Sequence, residues 1–310
     1  MRDLLIGICV SLFTMGVMIY LAVFHVGLES SSPKVDAQSP MKENFARTNQ
    51  PIYYRDKVIV LLYHDVVTDP SSVTPYTILK SDFEEQMKAL HEHSYNVISI
   101  DQYVNYVKEG AEIPPNAVVI TFDDGYESFY YQAYPTLKQY HFPATNFIIV
   151  NSTDRYSAER FPHLTWEEIK EMKNNQMSFH NHTYNLHSKE LVNAQGIKKP
   201  ALSNRIYLEK FDRLETEEEY IKRVKSDLIF AEERLEQELG EREVKVLAFP
   251  FGSYNKDSLM IAKELGFDLV MTTKEGINTR ENLEVYRINA GRSGISAEGL
   301  LDLLKKWHDR

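Results

Sequence analysis

Two adjacent carboxylates, Asp123 and Asp124, stand in the stretch Thr-Phe-Asp-Asp-Gly-Tyr at 121–126. Paired carboxylates can share a hydrolytic reaction, because one can bind a cation while the other moves protons. An isolated Asp-Asp-Gly is more often turn chemistry, since Asp tolerates left-handed backbone conformations and Gly supplies positive φ. Histidines further along the chain favour the catalytic interpretation.

Three histidines lie in the stretch His-Asn-His-Thr-Tyr-Asn-Leu-His at 180–187. Imidazole nitrogens suit Zn²⁺ or another borderline divalent ion. The single cysteine, Cys9, lies in an apolar N-terminal segment, so a carboxylate must complete the ligand set. Asp124 is the natural candidate, and three protein ligands leave a position open for water, as in catalytic sites.

Other interpretations of these residues stay open at this point. The histidines could be solvated loop residues, or the set of two histidines and one carboxylate could belong to an iron-dependent oxygenase. Asp123 separates the hydrolase from the oxygenase, because hydrolysis needs a nearby general base and such oxygenases need no second carboxylate.

The motifs resemble those of a known family. The stretch 121–125 and the pair His182 and His187 resemble the first two motifs of the polysaccharide deacetylases, carbohydrate esterase family 4, with its NodB homology domain. The commoner spacing places the second histidine four residues after the first, whereas here it is five. With Tyr-His-Asp at 63–65, this wider spacing resembles the poly-β-1,6-N-acetylglucosamine deacetylase branch, which includes the intercellular adhesin deacetylases. The resemblance covers most of residues 55–295.

The resemblance implies a role for each matching residue. Asp123 corresponds to the catalytic base, and the metal ligands correspond to Asp124, His182 and His187. The implied metal is Zn²⁺ or another divalent transition metal.

The stretch Phe-Pro-Phe-Gly-Ser-Tyr at 249–254 resembles the third motif of the family. In the family, that motif lines the substrate groove and donates a backbone N–H to the oxyanion. The resemblance therefore implies substrate binding by Pro250, Phe251 and Tyr254. Phe251 could equally belong to the core.

Two family features are missing. The arginine that holds the catalytic aspartate would fall at Ala248, and by position alone Arg287 or Arg292 is a candidate replacement. The late histidine that serves as general acid has no clear match. We therefore expect His64, at the end of the first strand, to be the general acid, although a structural role in the barrel top is an alternative.

These residues require a scaffold that brings strand ends together. Short apolar runs predict strands at 58–64, 97–100, 117–120, 145–150, 177–180, 244–249, 268–272 and 285–288. Helices are predicted from 81, and at 101–108, 127–140, 165–173, 216–239, 256–265 and 297–307. Asp101 is the expected cap of the second helix, and Thr-x-x-Glu at 165–168 predicts a capping box at Thr165. This alternation predicts an α/β fold, a distorted (β/α) barrel of about seven parallel strands. Because neighbouring strand side chains point to opposite faces, Asp123 and Asp124 can share a site only if the chain turns there.

The N-terminal region predicts export. Residues 4–24 form an uncharged apolar run of about the 20 residues that span a bilayer. We expect residues 1–28 to be a transmembrane anchor or signal segment, with Val-Asp-Ala at 35–37 as a candidate cleavage site. Residues 29–51 read as a flexible tether, and 52–310 as the catalytic domain outside the cell membrane, secreted if the chain is cleaved after Ala37.

The composition limits the partners. A net charge of −10 argues against nucleic acid, because phosphate binding needs a basic surface. We expect metal-dependent removal of N-acetyl groups from an extracellular N-acetylglucosamine polymer, with a role in biofilm matrix, and a monomeric enzyme that meets the membrane through its N-terminal helix. Alternatives are a peptidoglycan or chitin-oligosaccharide deacetylase and a non-catalytic carbohydrate-binding barrel.

Overall fold

The computed structural model describes residues 51–157 and 162–308. Within these two ranges, eight strands form one continuous parallel sheet in the order β7-β6-β5-β4-β3-β2-β1-β8. They are β1 (Val58–Tyr63), β2 (Ala117–Asp124), β3 (Ala144–Ile148), β4 (Met177–Asn181), β5 (Val246–Ala248), β6 (Leu269–Met271), β7 (Glu284–Val285) and β8 (Ile288–Asn289). A ninth, two-residue strand, Asn96–Val97, pairs with the start of β2. The predicted α/β fold with parallel strands is confirmed.

The two end strands of this sheet are consecutive in the chain. Only Tyr286 and Arg287 separate β7 from β8, so the two edges of the sheet must lie side by side. No hydrogen-bonded ladder joins β7 to β8 within the described residues. The sheet therefore curls into an incomplete barrel, and the single strand predicted at 285–288 is two short strands interrupted at Arg287.

The strand side chains form two apolar layers. One set, which includes Val60, Val119 and Phe147, packs together inside the sheet. The opposite set, which includes Leu61 and Ile120, packs against helices outside it. Parallel strands buried on both faces explain why the strand sequences are continuous apolar runs.

Within the described part of the chain, eight α-helices connect and cover the strands. They are α1 (Lys80–Glu92), α2 (Ile100–Lys108), α3 (Tyr134–Tyr140), α4 (Val150–Asp154), α5 (Trp166–Lys173), α6 (Glu217–Leu239), α7 (Lys256–Glu264) and α8 (Ala297–Lys305). The capping box predicted at Thr165 is confirmed. The cap of α2 is Ser99, two residues before the expected Asp101, because Gln102 completes a capping box with Ser99.

The irregular stretch between the histidines and α6 contains two small hairpins. Lys189–Leu191 pairs with Lys198–Pro200, and Tyr207–Leu208 pairs with Arg213–Leu214, both antiparallel.

The predicted anchor at 1–28 and residues 29–50 of the predicted tether lie outside the described residues. Within 51–157 and 162–308, none of the helices combines the length and the apolar character needed to cross a membrane.

Candidate active site

The two carboxylates occupy the carboxyl end of β2, where the backbone turns. Asp124 has φ of +76° and Gly125 also has φ of +76°, so the chain leaves the extended conformation at Asp124 itself. A Cβ at Gly125 would lie 3.0 Å from Ile148 Cγ2 and 3.3 Å from Ile148 Cα, so the tight contact and the positive φ together favour glycine. This turn lets both neighbouring carboxylates serve one site.

Asp123 is buried and held by one cation. Arg287 Nη1 and Nη2 donate to its two carboxylate oxygens at 2.7 and 2.8 Å. Burial alone would raise the pKa of Asp123, but the guanidinium outweighs it and holds the pKa below its ordinary value. The carboxylate is therefore ionised and fixed in orientation.

Arg287 comes from the gap between β7 and β8 and is itself fully buried. Its Nε donates to the Thr272 carbonyl oxygen at 2.8 Å, and its guanidinium carbon lies 6.0 Å from the centre of the Phe147 ring. Of the two arginines expected as replacements, the structure thus places Arg287 on Asp123, whereas Arg292 is exposed. The arginine missing at Ala248 is supplied from another strand end.

Asp124 meets two histidines across a short gap. Its Oδ1 lies 3.3 Å from His182 Nε2 and 3.2 Å from His187 Nε2. The three candidate ligand atoms lie within 4.8 Å of one another. The structure therefore brings together the Asp-His-His set expected from the sequence.

The donor arrangement fits a cation. His182 Nδ1 lies 2.9 Å from the Ala248 carbonyl oxygen, which can only accept a hydrogen bond. In the neutral ring the Nε2 atom then carries a lone pair, and it faces the buried Asp124 Oδ1, which has no hydrogen-bond donor among the described residues. Converging lone pairs of this kind are stabilised by a bound divalent ion.

His64 lies close enough to both carboxylates for them to act on its charge. Burial lowers the pKa of its imidazole, and Asp123 and Asp124 only partly offset this effect. Its Nδ1 is buried without a hydrogen-bond partner among the described residues. The site therefore includes a mainly neutral third histidine, with a free ring nitrogen.

The third motif contributes one exposed aromatic ring to the site. Phe251 has φ of +59° and is 44% exposed, and its ring centre lies 4.5 Å from that of His187. Pro250 is buried. Tyr254 stacks on Phe249 and donates its hydroxyl hydrogen to Glu284 at 2.6 Å. Of the three residues expected to bind substrate, Phe251 is the one whose ring lies against a candidate metal ligand, His187.

The other residues of the histidine stretch support the ligands. Asn181 Oδ1 accepts from the Thr183 backbone N–H at 2.7 Å, and its Nδ2 donates to Glu232 at 2.9 Å. His180 is buried beside Phe147, at a ring-centre distance of 6.2 Å. Neither belongs to the Asp-His-His set.

A protein-family model matches the middle of the chain. The model of the family described as "Polysaccharide deacetylase" matches residues 110–270, about half of the chain. The matched range contains both carboxylates and the two ligand histidines. His64 and Arg287 lie outside it, so their place in the site rests on the geometry described above.

Curated relatives and solved structures are similar over larger parts of the chain. A poly-β-1,6-N-acetyl-D-glucosamine N-deacetylase of Escherichia coli (strain K12) is 28% identical over 237 residues, which are 73% of this chain and 35% of the relative. The protein of the same name from Staphylococcus aureus (strain MSSA476) is 27% identical over 82% of this chain and 84% of the relative. The structure of a de-N-acetylase from Aggregatibacter actinomycetemcomitans superposes with a TM-score of 0.71 at 26% identity, covering 80% of this chain and 100% of that chain. The chain thus spans about a third of the length of the E. coli relative and most of the other two.

Proposed function

The chain belongs to the polysaccharide deacetylase family, and we propose that it hydrolyses the N-acetyl groups of poly-β-1,6-N-acetylglucosamine outside the cell, releasing acetate. One observation carries this proposal: a buried Asp-His-His set lies beside a second, arginine-held carboxylate at one end of a parallel sheet. The relatives named as deacetylases of this polymer support the choice of substrate.

The proposed metal ligands are Asp124, His182 and His187, and the proposed ion is Zn²⁺. When bound, such an ion lowers the pKa of water and polarises the acetamide carbonyl group. The two imidazoles and the carboxylate would hold the ion in the same site as Asp123.

Asp123 is the proposed general base. Arg287 keeps its carboxylate ionised, and each carboxylate oxygen has a further lone pair that can accept a proton from water. The same ion pair lowers the basicity of Asp123, so its value lies in orientation and constant ionisation rather than in strength.

His64 is the proposed acid that protonates the departing amine. Because burial lowers its pKa, its protonated form is a stronger acid than an exposed imidazolium. Water adds its oxygen to the acetyl carbon, the carbon–nitrogen bond breaks, and His64 Nδ1 or Nε2 gives a proton to nitrogen. The proton taken up by Asp123 then restores His64, so the reaction needs no other reactant.

Phe251 is the proposed platform for a sugar ring. Its ring is exposed beside His187, and aromatic faces pack well on the apolar faces of sugars. Each turnover creates an amine that is cationic at neutral pH. A protein of net charge −10 would attract that polymer weakly and in a salt-dependent way.

The proposed location is the outer face of the cell membrane. The apolar run at 4–24 supports an anchor followed by the tether at 29–51, with secretion as the alternative if cleavage follows Ala37. Cell fractionation of the full chain and of a version lacking 1–28 tests this proposal.

A non-catalytic carbohydrate-binding barrel is disfavoured by the position of Arg287. The sequence arguments for that alternative are the missing arginine at Ala248 and the missing late histidine. Arg287 answers the first, because it makes a bidentate contact with Asp123.

Amine release from a β-1,6-linked N-acetylglucosamine oligomer tests the proposed activity. We expect release by the full chain loaded with Zn²⁺, loss after chelation, and at least a 100-fold loss in Asp123→Asn. The exposed Asp69→Asn serves as the matched control and should keep full activity. Release from a chitin oligomer but not from the β-1,6 oligomer would overturn the proposed substrate. No release from either oligomer would overturn the proposal that the chain is an enzyme.

A further inference from the structure

The loop between the two ligand histidines is held by a chain of hydrogen bonds. Three of its backbone N–H groups find acceptors nearby: His182 donates to the Ile148 carbonyl oxygen at 3.0 Å, Thr183 to Asn181 Oδ1 at 2.7 Å, and Leu186 to Thr183 Oγ1 at 3.1 Å. Thr183 has φ of +73°, a strained conformation for a β-branched residue. The loop therefore needs outside support to keep its shape.

The apex of the loop is held from α6. Asp227 Oδ1 accepts from the Tyr184 backbone N–H at 2.8 Å, and Oδ2 accepts from the Asn185 N–H at 2.9 Å. Asp227 lies 43 and 42 residues after these partners. Both oxygens of one carboxylate thus bind consecutive amides, and charge strengthens each bond.

The two ligand histidines differ in their own support. His182 follows β4 directly, and its Nδ1 is bonded to the Ala248 carbonyl oxygen at 2.9 Å. Among the described residues, no hydrogen bond holds Nδ1 of His187. Its Nε2 lies 3.2 Å from Asp124 Oδ1, and its ring lies near those of Phe251 and His182, at centre distances of 4.5 and 4.9 Å. The position of His187 consequently depends on the loop.

We propose that Asp227 is a positioning residue that holds the loop so that His187 points at the metal site. This inference rests on the proposed metal site. It adds a residue that the sequence did not single out, because an aspartate in a charged helix is usually a solvated side chain.

The surroundings of Asp227 indicate that helix packing alone does not explain this aspartate. Burial raises its pKa to about 6, despite the two amide bonds and nearby Arg223. Arg223 is itself committed to Glu215, to which its Nε and Nη2 donate at 2.7 and 2.8 Å. The Asp227 carboxylate is half-buried without a partner cation of its own, which costs stability. Its contacts with the two loop amides indicate a role in holding the loop.

Metal affinity of the full chain tests this inference. Zn²⁺ binding is measured by calorimetry after chelator removal, and Co²⁺ absorption reports the ligand geometry. We expect Asp227→Ala to lower the affinity about 10- to 100-fold, the range for residues that orient metal ligands. Asp227→Asn, which keeps one acceptor oxygen, should fall between. Glu233→Gln removes an exposed charge from the same helix and should change nothing.

A double variant separates positioning from a general structural role. If Asp227 acts through His187, then Asp227→Ala should lower Zn²⁺ affinity much less in a His187→Ala background than in the wild type. The melting temperature of metal-free Asp227→Asn should lie no more than a few degrees below that of the wild type. If Asp227→Ala does not fold, Asp227→Asn decides alone.

Three results would overturn the inference. If the Asp227 variants bind Zn²⁺ as tightly as the wild type, the positioning role of Asp227 is wrong, although the proposed metal site stands. An affinity loss that merely follows an equal loss of metal-free stability assigns Asp227 a structural role. No Zn²⁺ binding by the wild type removes the proposed metal site together with this inference.

Discussion

Two carboxylates, one buried and one half-buried, support the site by different means. Asp123, inside the barrel, is paired with Arg287, and its pKa is lowered. Among the described residues Asp227, on α6, binds only backbone amides, and its pKa is raised to about 6 because burial outweighs those dipoles. Two amide dipoles orient the Asp227 carboxylate without cancelling the effect of burial on its pKa, whereas the full charge of Arg287 helps to bring the pKa of Asp123 below its ordinary value. The part of the site that contains the proposed base Asp123, the base side, is thus held by charge. The part that contains the proposed metal ligands Asp124, His182 and His187, the ligand side, is held by hydrogen-bond geometry.

Removal of the metal should produce the largest difference between the two sides of the site. We expect chelation to abolish amine release, since the ligand side loses its ion, whereas the pair of Asp123 and Arg287 is unaffected by the chelator. Rebinding should restore activity and raise the melting temperature, because the ion binds the folded state. Activity assays and thermal unfolding, with and without Zn²⁺, measure both effects. Full activity in the chelated protein would contradict this assignment of the site.

Removal of the charge on the base side should have the next largest effect. Arg287→Ala leaves Asp123 buried without a counter-charge, which we expect to lower the free energy of unfolding by about 3–5 kcal/mol. Activity should fall at least 100-fold, as for a displaced general base. Chemical denaturation and kcat/KM measure these losses.

Matched variants sharpen that result. Arg287→Lys keeps the charge but cannot make the bidentate contact, so its losses should be intermediate. Arg292→Ala, at an exposed position, should behave as the wild type. Equal losses in Arg292→Ala would show that the effect is not specific to the partner of Asp123.

The raised pKa of Asp227 predicts a pH-dependent stability of opposite sign to that of Asp123. Below about pH 4 the carboxyl is protonated in both states and contributes nothing. As the pH rises to about 6, the unfolded chain loses the proton first, so the free energy of unfolding falls by about 3 kcal/mol and stays lower above that range.

Asp227→Asn removes this titration. In metal-free protein, the stability of the wild type minus that of Asp227→Asn should therefore decrease between about pH 4 and pH 7. Urea unfolding at several pH values measures the difference. A difference that rises with pH would mean that the amides lower the pKa of Asp227 below its ordinary value, as Arg287 does for Asp123.

The smallest expected effect concerns charge at the outer rim of the ligand side. Lys189 Nζ lies 5.2 Å from the centre of the Phe251 ring, next to the platform proposed for sugar binding. Its charge should repel a unit that already carries an amine. We expect Lys189→Glu to raise kcat/KM for partly deacetylated oligomers about two- to fivefold, relative to fully acetylated ones, at low salt.

Lys199→Glu is the control for this change, because Lys199 is exposed on the partner strand of the same hairpin. If both variants, or neither, alter the preference between the two oligomers, the position of Lys189 beside Phe251 has no special role. The preference is measured by competition between the oligomers in one assay.

The sequence by itself was enough to group Asp123, Asp124, His182 and His187. Each stands at the end of an apolar run or just after it, and the carboxyl ends of parallel strands meet at one edge of a sheet. Parallel strands joined by helices were likewise predictable, because the periodicity is local. Their exact bounds were less so: α2 is capped by Ser99 and not by Asp101.

Only the tertiary structure decided which groups support those four residues. Position alone left Arg287 and Arg292 as equal candidates, and the choice depends on how β7 and β8 meet at the barrel edge, 164 residues from Asp123. Asp227 carries no local signal, since its role depends on the packing of α6 beside the histidine loop. Strand ends are set by short-range patterns, whereas the partners of buried charges are set by which distant elements the closed fold brings into contact.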